Sequence, residues 1–224
     1  MCGIVAVKQK RGHPFPLHAF ISLMEEASIR GVHATGVSYF LDDRVRTCKT
    51  PKPMSLKNLP SSVLKELSSC DGAIGHVRYS TSDLQFNQPF QIGDQALVHN
   101  GVVSQADPSK WEELFGVSCA TRNDSEILLH VAAFKPYHPV TLENTSQACA
   151  LLEHDSISFW RNAQRPLYYV EADEYLAAAS TKDIIKRALG KSSVRTEPFL
   201  VYRFDGQSLT SQPYPIIEED LQNV

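Results

Sequence analysis

The thiol of Cys2 is the side chain best suited to chemistry, because it becomes N-terminal once Met1 is removed. Methionine is normally trimmed before a small residue, and the trimmed chain carries a thiol and a free α-amine on one residue. The thiolate is the nucleophilic form of cysteine, and an α-amine with an unperturbed pKa of about 7.7–8.0 can accept the thiol proton. Cys2 therefore predicts a nucleophile and its base on one residue. The alternative is a small side chain that begins a buried strand.

Two further segments offer groups that could bind and activate a substrate. Arg78 ends a predicted strand, where its guanidinium could clamp a carboxylate through two parallel hydrogen bonds. Asn100 and Gly101 follow another predicted strand. The side-chain NH₂ of the first and the backbone N–H of the second could form an oxyanion hole. Taken singly, a salt bridge for Arg78 and a turn for the Asn-Gly pair are the simpler interpretations.

Two charged residues lie at predicted element ends. Asp124 stands where a helix begins, so its carboxylate could bind an ammonium group or cap the helix. Arg30 precedes Gly31 between a helix and a strand, where its charge could neutralise the helix C-terminus. Local pattern alone favours a helix cap for Asp124 and a contact with the helix C-terminus for Arg30.

Hydrophobic periodicity and turn residues predict the elements that must position these groups. Strands are expected at 4–7, 35–41, 45–50, 73–79, 95–98, 147–152, 157–160, 167–170, 175–178, 200–204 and 208–211. Helices are expected at 17–29, 62–67, 109–115, 124–134 and 181–189. Strands clustered before and after helices, without regular alternation, predict an α+β layered architecture.

Composition excludes several classes of function. The net charge of −3 provides neither a basic footprint for nucleic acid nor a polybasic membrane tether. No apolar stretch approaches the roughly 20 residues of a membrane helix. The five cysteines are odd in number and widely spaced, which argues against a disulfide scaffold or a paired-thiol zinc site. We expect a cytoplasmic protein without a metal site and without nucleic-acid or membrane partners.

In their order along the chain, these segments resemble the motifs of the class II glutamine amidotransferases, a family of N-terminal-nucleophile hydrolases. The matching segments are 1–5, Arg30-Gly31 with Thr35-Gly36, 75–81 with Gln88-Pro89-Phe90, 99–103 and 124–126. The closest motifs are those of the glutamine phosphoribosylpyrophosphate amidotransferases and of the glutaminase domains of glucosamine-6-phosphate synthases. Residues 161–169 are similar to a region that this fold shares with asparagine synthetases. Five ordered motifs are far more specific than any one of them.

The resemblance implies a fold and a reaction. The fold would be an α+β, four-layer αββα sandwich with two mostly antiparallel sheets. The reaction would be hydrolysis of L-glutamine to L-glutamate and ammonia through a thioester on Cys2, without a cofactor. Asn100 and Gly101 would stabilise the oxyanion, and Arg30 would orient the nucleophile.

The resemblance also implies a set of substrate-binding residues. Arg78 would hold the α-carboxylate of glutamine and Asp124 its α-ammonium group, which together recognise a zwitterion. Thr81 and His99 belong to the same set. The loop at 80–90 would close over bound glutamine.

Residues 2–224 are expected to form a single glutaminase domain without a synthase domain, since no phosphate-binding glycine cluster follows. A separate synthase or acceptor-binding protein would then handle the ammonia. Two other functions stay open. One is an N-terminal-cysteine acylase or amidohydrolase acting on another amide, although an acyl chain needs no clamp such as Arg78 with Asp124. The other is a catalytically silent glutamine-sensing or scaffold domain.

Overall fold

The computed structural model describes residues 2–80, 84–134 and 145–213, and its elements within these ranges are numbered in chain order. The strands are β1 Gly3–Gln9, β2 Ala34–Leu41, β3 Arg44–Thr50, β4 Gly72–Arg78, β5 Phe90–Ile92, β6 Gln95–His99, β7 Ala148–Leu152, β8 Ile157–Arg161, β9 Tyr168–Glu171, β10 Tyr175–Ala179, β11 Val194–Arg195, β12 Leu200–Phe204 and β13 Leu209–Pro213. The helices are α1 Leu17–Ala27, α2 Ser61–Leu67, α3 Trp111–Phe115, α4 Ser125–Phe134 and α5 Lys182–Leu189.

The strands form two sheets in which the paired strands run antiparallel. The first sheet has the order β11-β9-β10-β1-β4-β2-β3, and the second has the order β13-β12-β8-β7-β6-β5. Strand β1, which carries the start of the chain, therefore lies in the interior of the first sheet between β10 and β4.

Three apolar layers hold these elements together. Between the sheets, Ile4 and Ile74 of the first sheet pack with Val98 and Phe159 of the second. The outer face of the first sheet is covered by α1, α2 and α5, and the outer face of the second by α3 and α4. Burial of apolar surface on both faces of both sheets is the main stabilising term of such an arrangement. The predicted α+β, four-layer αββα sandwich is confirmed.

The register of β1 against β4 decides which side chains meet at the front edge of the first sheet. Ile4 lies opposite His76, and Gly3 lies opposite Val77. Since directly opposite residues share a face and residues alternate along a strand, the side chains of Ile4 and His76 both point to the layer between the sheets. Cys2, two residues before Ile4, is on that same face.

Most predicted elements are confirmed, with boundaries that move by one or two residues. The turn between β2 and β3 is formed by Asp42 and Asp43, both with positive φ (51° and 60°), as a tight hairpin requires. The helix predicted at 17–29 ends at Ala27 and continues as a 3₁₀ turn, Ser28–Arg30. The short strands β5 and β11 were not predicted. Among the described residues, no helix is long and apolar enough to cross a membrane.

Candidate active site

One cavity of about 340 Å³ brings together several of the residues singled out in the sequence. Cys2 enters it from the start of β1 and Arg78 from the end of β4, because antiparallel neighbours bring these two ends to one edge. His99 and Gly101 reach the cavity from the end of β6 in the second sheet, and Asp124 from the residue before α4. The cavity therefore lies where the edges of both sheets and the N-terminus of α4 meet.

Cys2 is half-buried, its thiol is free, and Arg30 lies beside it. The Nε of Arg30 donates to the backbone oxygen of Cys2 at 2.9 Å. Burial lowers the pKa of Arg30, and the charge of a Cys2 thiolate opposes this shift. Arg30 thus both fixes the backbone that carries the thiol and places a positive charge near the sulfur. Arg30 therefore does more than end a helix, and its orienting role stays a prediction.

The Asn100-Gly101 pair occupies a position suited to an oxyanion hole. The side chain of Asn100 is 3% exposed, and its Nδ2 has no hydrogen-bond partner among the described residues. The backbone N–H groups on either side of Gly101 donate to carbonyls of the segment 146–148. In an antiparallel ladder the intervening N–H points to the opposite side. Two N–H donors therefore remain for a ligand at this corner.

Gly101 also meets a steric requirement. A Cβ at this position would overlap the backbone oxygen of Ser146 and would lie 2.5 Å from Nε2 of His99. Only glycine lets the chain pass between these two groups. The simple turn interpretation of the Asn-Gly pair does not explain this crowding.

Asp124 and Arg78 line the cavity, and each is held by the backbone. Oδ2 of Asp124 accepts from the N–H groups of Val103 and Ser104, at 2.5 and 3.1 Å. Nη1 of Arg78 donates to the backbone oxygen of Phe86 at 2.9 Å. The Asp124 carboxylate is thus bonded to the 103–104 loop rather than to the first turn of α4, where Asn123 instead accepts from Ser125 N–H at 3.1 Å. Opposite charges are fixed on two sides of one cavity.

His99 is 1% exposed and lies in a hydrogen-bonded network. Its Nδ1 is 2.9 Å from the Ser125 hydroxyl and its Nε2 is 3.0 Å from the Ser146 backbone oxygen. The Gln88 side chain accepts from the His99 N–H at 2.6 Å and donates to Ser125 at 3.0 Å. Burial lowers the pKa of His99 and is the largest influence on it. Both ring nitrogens are engaged, so His99 supports the cavity wall rather than offering an unbonded polar atom to a substrate.

The loop predicted to close over the substrate is anchored at both described ends. At its start, the N–H of Ser80 donates to Nδ1 of His33 at 3.1 Å. At its end, the backbone oxygen of Gln88 lies so close to Gly36 that a Cβ there would overlap it. Thr81, predicted to bind substrate, lies outside the described residues together with 82–83.

Other residues in the cavity wall had no role assigned from the sequence. Ser104 and Arg122 line it, and Arg122 adds a second guanidinium near Asp124. His76 and Gln88 belong to matched motifs but carried no predicted function. For His76, the sequence did offer one indication of a functional role, because it is a polar residue within an otherwise apolar strand. Nothing in the sequence around Arg122 pointed to the cavity.

Among the described residues, three potential metal ligands lie close together at α4. Ligand atoms of Cys119, Glu126 and His130 are all within 4.8 Å of one another. The Glu126 carboxylate already accepts from the backbone N–H groups of Ala120 and Thr121, both at 2.8 Å. Burial, with the charge of Glu126, raises the pKa of Cys119 to about 11, so a neutral thiol faces the group. Glu126 therefore closes a loop onto α4, and these contacts account for the cluster.

Comparison with known proteins confirms the predicted resemblance to the class II glutamine amidotransferases, a class of enzymes. The chain is 27% identical, over 164 residues, to the glutamine–fructose-6-phosphate aminotransferase (isomerizing) of Staphylococcus aureus. The aligned segment covers 70% of this chain and 26% of that protein. It thus spans about a quarter of the length of the curated relatives it matches. No family model matches the chain.

Solved structures share the fold. The glutamine phosphoribosylpyrophosphate amidotransferase from B. subtilis, complexed with ADP and GMP, superposes with a TM-score of 0.77 at 20% identity, covering 96% of this chain and 50% of that one. A glutamine aminotransferase class-II domain protein from Silicibacter pomeroyi superposes with a TM-score of 0.63 at 13% identity, covering 95% and 99%. At these identities the matches establish the fold alone.

The buried histidines predict how stability depends on pH. Burial lowers the pKa of His76 to about 3 and also lowers that of His99, whereas an unfolded histidine titrates near pH 6.5. The unfolded chain therefore binds more protons below pH 6.5, and the free energy of unfolding falls as pH drops from about 6.5 towards 3. Each neutral histidine contributes a slope that approaches about 1.4 kcal/mol per pH unit.

Urea unfolding between pH 7 and 5 measures this slope. For His76→Gln, the free energy of unfolding should fall less steeply with decreasing pH than for the wild type, by about the slope that one histidine contributes. His18→Gln, a substitution at an exposed position, should retain the full slope. Identical slopes for the wild type and His76→Gln would contradict the burial of a neutral imidazole.

Proposed function

We propose that this protein hydrolyses L-glutamine to L-glutamate and ammonia, with Cys2 as the nucleophile. The observation that carries the proposal is the meeting of three kinds of group at one cavity. Cys2 provides a thiol, Gly101 provides a backbone N–H, and Arg78 and Asp124 provide a cation and an anion. Asn100, the buried neighbour of Gly101, would add its Nδ2 donor, which has no partner among the described residues. A small zwitterion with an amide at its far end satisfies all three. L-Glutamine has this chemistry.

In the proposed reaction, removal of Met1 exposes the α-amine of Cys2. The amine takes the thiol proton, and the sulfur attacks the side-chain carbonyl carbon of glutamine. The N–H groups of Asn100 and Gly101 stabilise the resulting oxyanion, an interaction worth about 100- to 1,000-fold per donor. The C–N bond then breaks, the amine returns its proton to the departing ammonia, and a glutamyl thioester remains. Water hydrolyses the thioester and regenerates the thiol.

Arg78 and Asp124 favour glutamine over an amide without an amino-acid group. A guanidinium forms two parallel hydrogen bonds to a carboxylate, and a carboxylate pairs with an ammonium group. Binding both ends of the zwitterion would fix the distance from the α-carbon to the sulfur. A simple amide, the substrate of an acylase, has no charged groups that could pair with Arg78 and Asp124. The retained thiol and N–H donors likewise weigh against a silent sensing domain.

The compartment and the partner belong to the same proposal. The described cysteines are free thiols, as expected in the reducing cytoplasm. We propose that residues 2–224 act as a glutaminase domain and that a separate synthase or acceptor-binding protein receives the ammonia. One curated relative is named as a glutamine–fructose-6-phosphate aminotransferase, a transfer that needs an acceptor for the nitrogen.

The role of Cys2 is tested by Cys2→Ala, measured as glutamine-dependent ammonia release together with mass spectrometry of the native N-terminus. Loss of the nucleophile should reduce turnover by at least about 10³-fold without unfolding the protein. Cys48→Ala, which removes a half-buried thiol on β3, is the matched control and should retain activity. An active preparation that keeps Met1, or an active Cys2→Ala variant, would refute the assignment.

The zwitterion clamp is tested by Arg78→Lys. Lysine retains the charge but cannot form the parallel pair of hydrogen bonds, so KM for glutamine should rise by about 10- to 100-fold, as expected from loss of a charged hydrogen bond. Turnover of 4-aminobutyramide, which lacks the α-carboxylate, should be low and equal in both proteins. Arg46→Lys, at a surface ion pair, is the control. If the wild type prefers the carboxylate-free amide, an acylase activity would be the better interpretation.

The coupling to a partner is tested by isolating proteins that bind the native chain and assaying glutamine hydrolysis with each. A true acceptor-binding partner should change the rate of ammonia release or consume the ammonia stoichiometrically. Glutamine hydrolysis that no bound protein alters would contradict the coupling while leaving the glutaminase activity intact.

A further inference from the structure

Five buried polar atoms near the cavity have no hydrogen-bond partner in the described part of the chain. They are both ring nitrogens of His76, both amide atoms of Asn87, and Nδ2 of Asn100. His76 and Asn87 are each 1% exposed. The proposed chemistry uses the Asn100 nitrogen, but it uses neither His76 nor Asn87.

His76 and Asn87 lie next to each other behind the nucleophile. His76 lines the same cavity as Cys2, and it stands opposite Ile4 on the face that Cys2 shares. By this register Cys2 and His76 are diagonal neighbours on one sheet face, a residue spacing of about 7–8 Å. The Asn87 carboxamide is close enough to His76 to oppose the lowering of its pKa, but the two side chains make no hydrogen bond of normal geometry.

Burial of four polar atoms without partners is costly, at about 1–3 kcal/mol for each group. The charges of glutamine are matched by Arg78 and Asp124, so the substrate does not explain these atoms. A water molecule needs two to four polar partners and occupies about 30 Å³, a small fraction of the cavity. Both side chains offer a donor and an acceptor, which is what a water molecule requires.

The electrostatics favour a neutral molecule. His76 is uncharged at physiological pH because burial and the nearby Arg78 lower its pKa to about 3. The guanidinium group of Arg78 disfavours a cation such as ammonium at the same place. Water and uncharged ammonia fit this recess equally well by charge, and they take part in different steps of the reaction.

We propose that His76 and Asn87 form a polar recess that holds the water molecule which hydrolyses the Cys2 thioester. This inference depends on the proposed function. In the step, the water oxygen bonds to the thioester carbonyl carbon and the carbon–sulfur bond breaks. The water proton passes through the α-amine of Cys2 to the departing thiolate. Glutamate and free thiol result, with no other reactant, and His76 and Asn87 act as positioning residues.

The recess is tested by separating formation of the thioester from its hydrolysis. His76→Leu and Asn87→Leu remove the polar atoms at similar volume, and His76→Gln retains a donor and an acceptor. Trp160→Phe is the matched control, because the Trp160 nitrogen is also buried and without a partner in the described chain, but Trp160 packs in the outer apolar layer of the second sheet. Rapid acid quenching followed by intact-protein mass spectrometry measures the glutamyl thioester. Added hydroxylamine measures diversion of the thioester to glutamyl hydroxamate.

The two leucine variants should form the thioester within about threefold of the wild-type rate but hydrolyse it about tenfold or more slowly, as loss of one or two hydrogen bonds implies. The thioester should accumulate, and the hydroxamate-to-glutamate ratio should rise. His76→Gln should recover part of the hydrolysis, and Trp160→Phe should match the wild type.

Three outcomes would overturn the inference. Slower thioester formation with normal hydrolysis would assign the recess to departing ammonia instead of water. An equal decrease in both steps, accompanied by a lower melting temperature, would make the two residues structural. A processed wild type that forms neither ammonia nor, with added hydroxylamine, glutamyl hydroxamate from glutamine would refute the proposed function itself and the recess with it.

Discussion

The antiparallel register between β1 and β4 is the constraint on which the site depends. It sets Gly3 opposite Val77 and Ile4 opposite His76. Cys2, His76 and Arg78 therefore fall on one face of one edge. Because side chains alternate across a sheet, a shift of one residue would move β1's or β4's members of this set to the opposite face. Burial of both strands on both faces makes such a shift costly, so the packing of the sandwich also aligns Cys2 with its surroundings.

Beyond the apolar packing of α4 on the second sheet, hydrogen bonds hold the residues that complete the cavity. Asp124 binds the backbone of the 103–104 loop, and His99 joins Ser125 to the segment at 146. The helix start is thereby tied to the end of β6. The charges that would recognise a zwitterion are held by rigid backbone contacts, which limits the reorganisation needed on binding.

The cavity contains more unsatisfied polarity than folding alone would favour. Asn100, His76 and Asn87 have buried polar atoms without a partner among the described residues. Each such group would lower the stability of the folded protein if nothing bound there. Such exceptions concentrate where a protein binds or transforms a ligand. The neutral imidazole of His76 also lowers stability at acidic pH, because its protonation is coupled to unfolding.

Local pattern in the sequence determined much of this protein: the place of Cys2 at the start of a strand, the ordered motifs, the hairpin turns, most strands and the layered α+β class. Strands of two or three residues, such as β11, contain too few positions to show periodicity. Only the tertiary structure decided that Asp124 bonds to another loop instead of capping α4, and that His76 and Asn87 lie next to each other beside the cavity that Cys2 lines. Alternation along a strand reveals which residues share a face. It does not reveal which face of which distant segment lies across from them, because that depends on how the two sheets and the loop pack together.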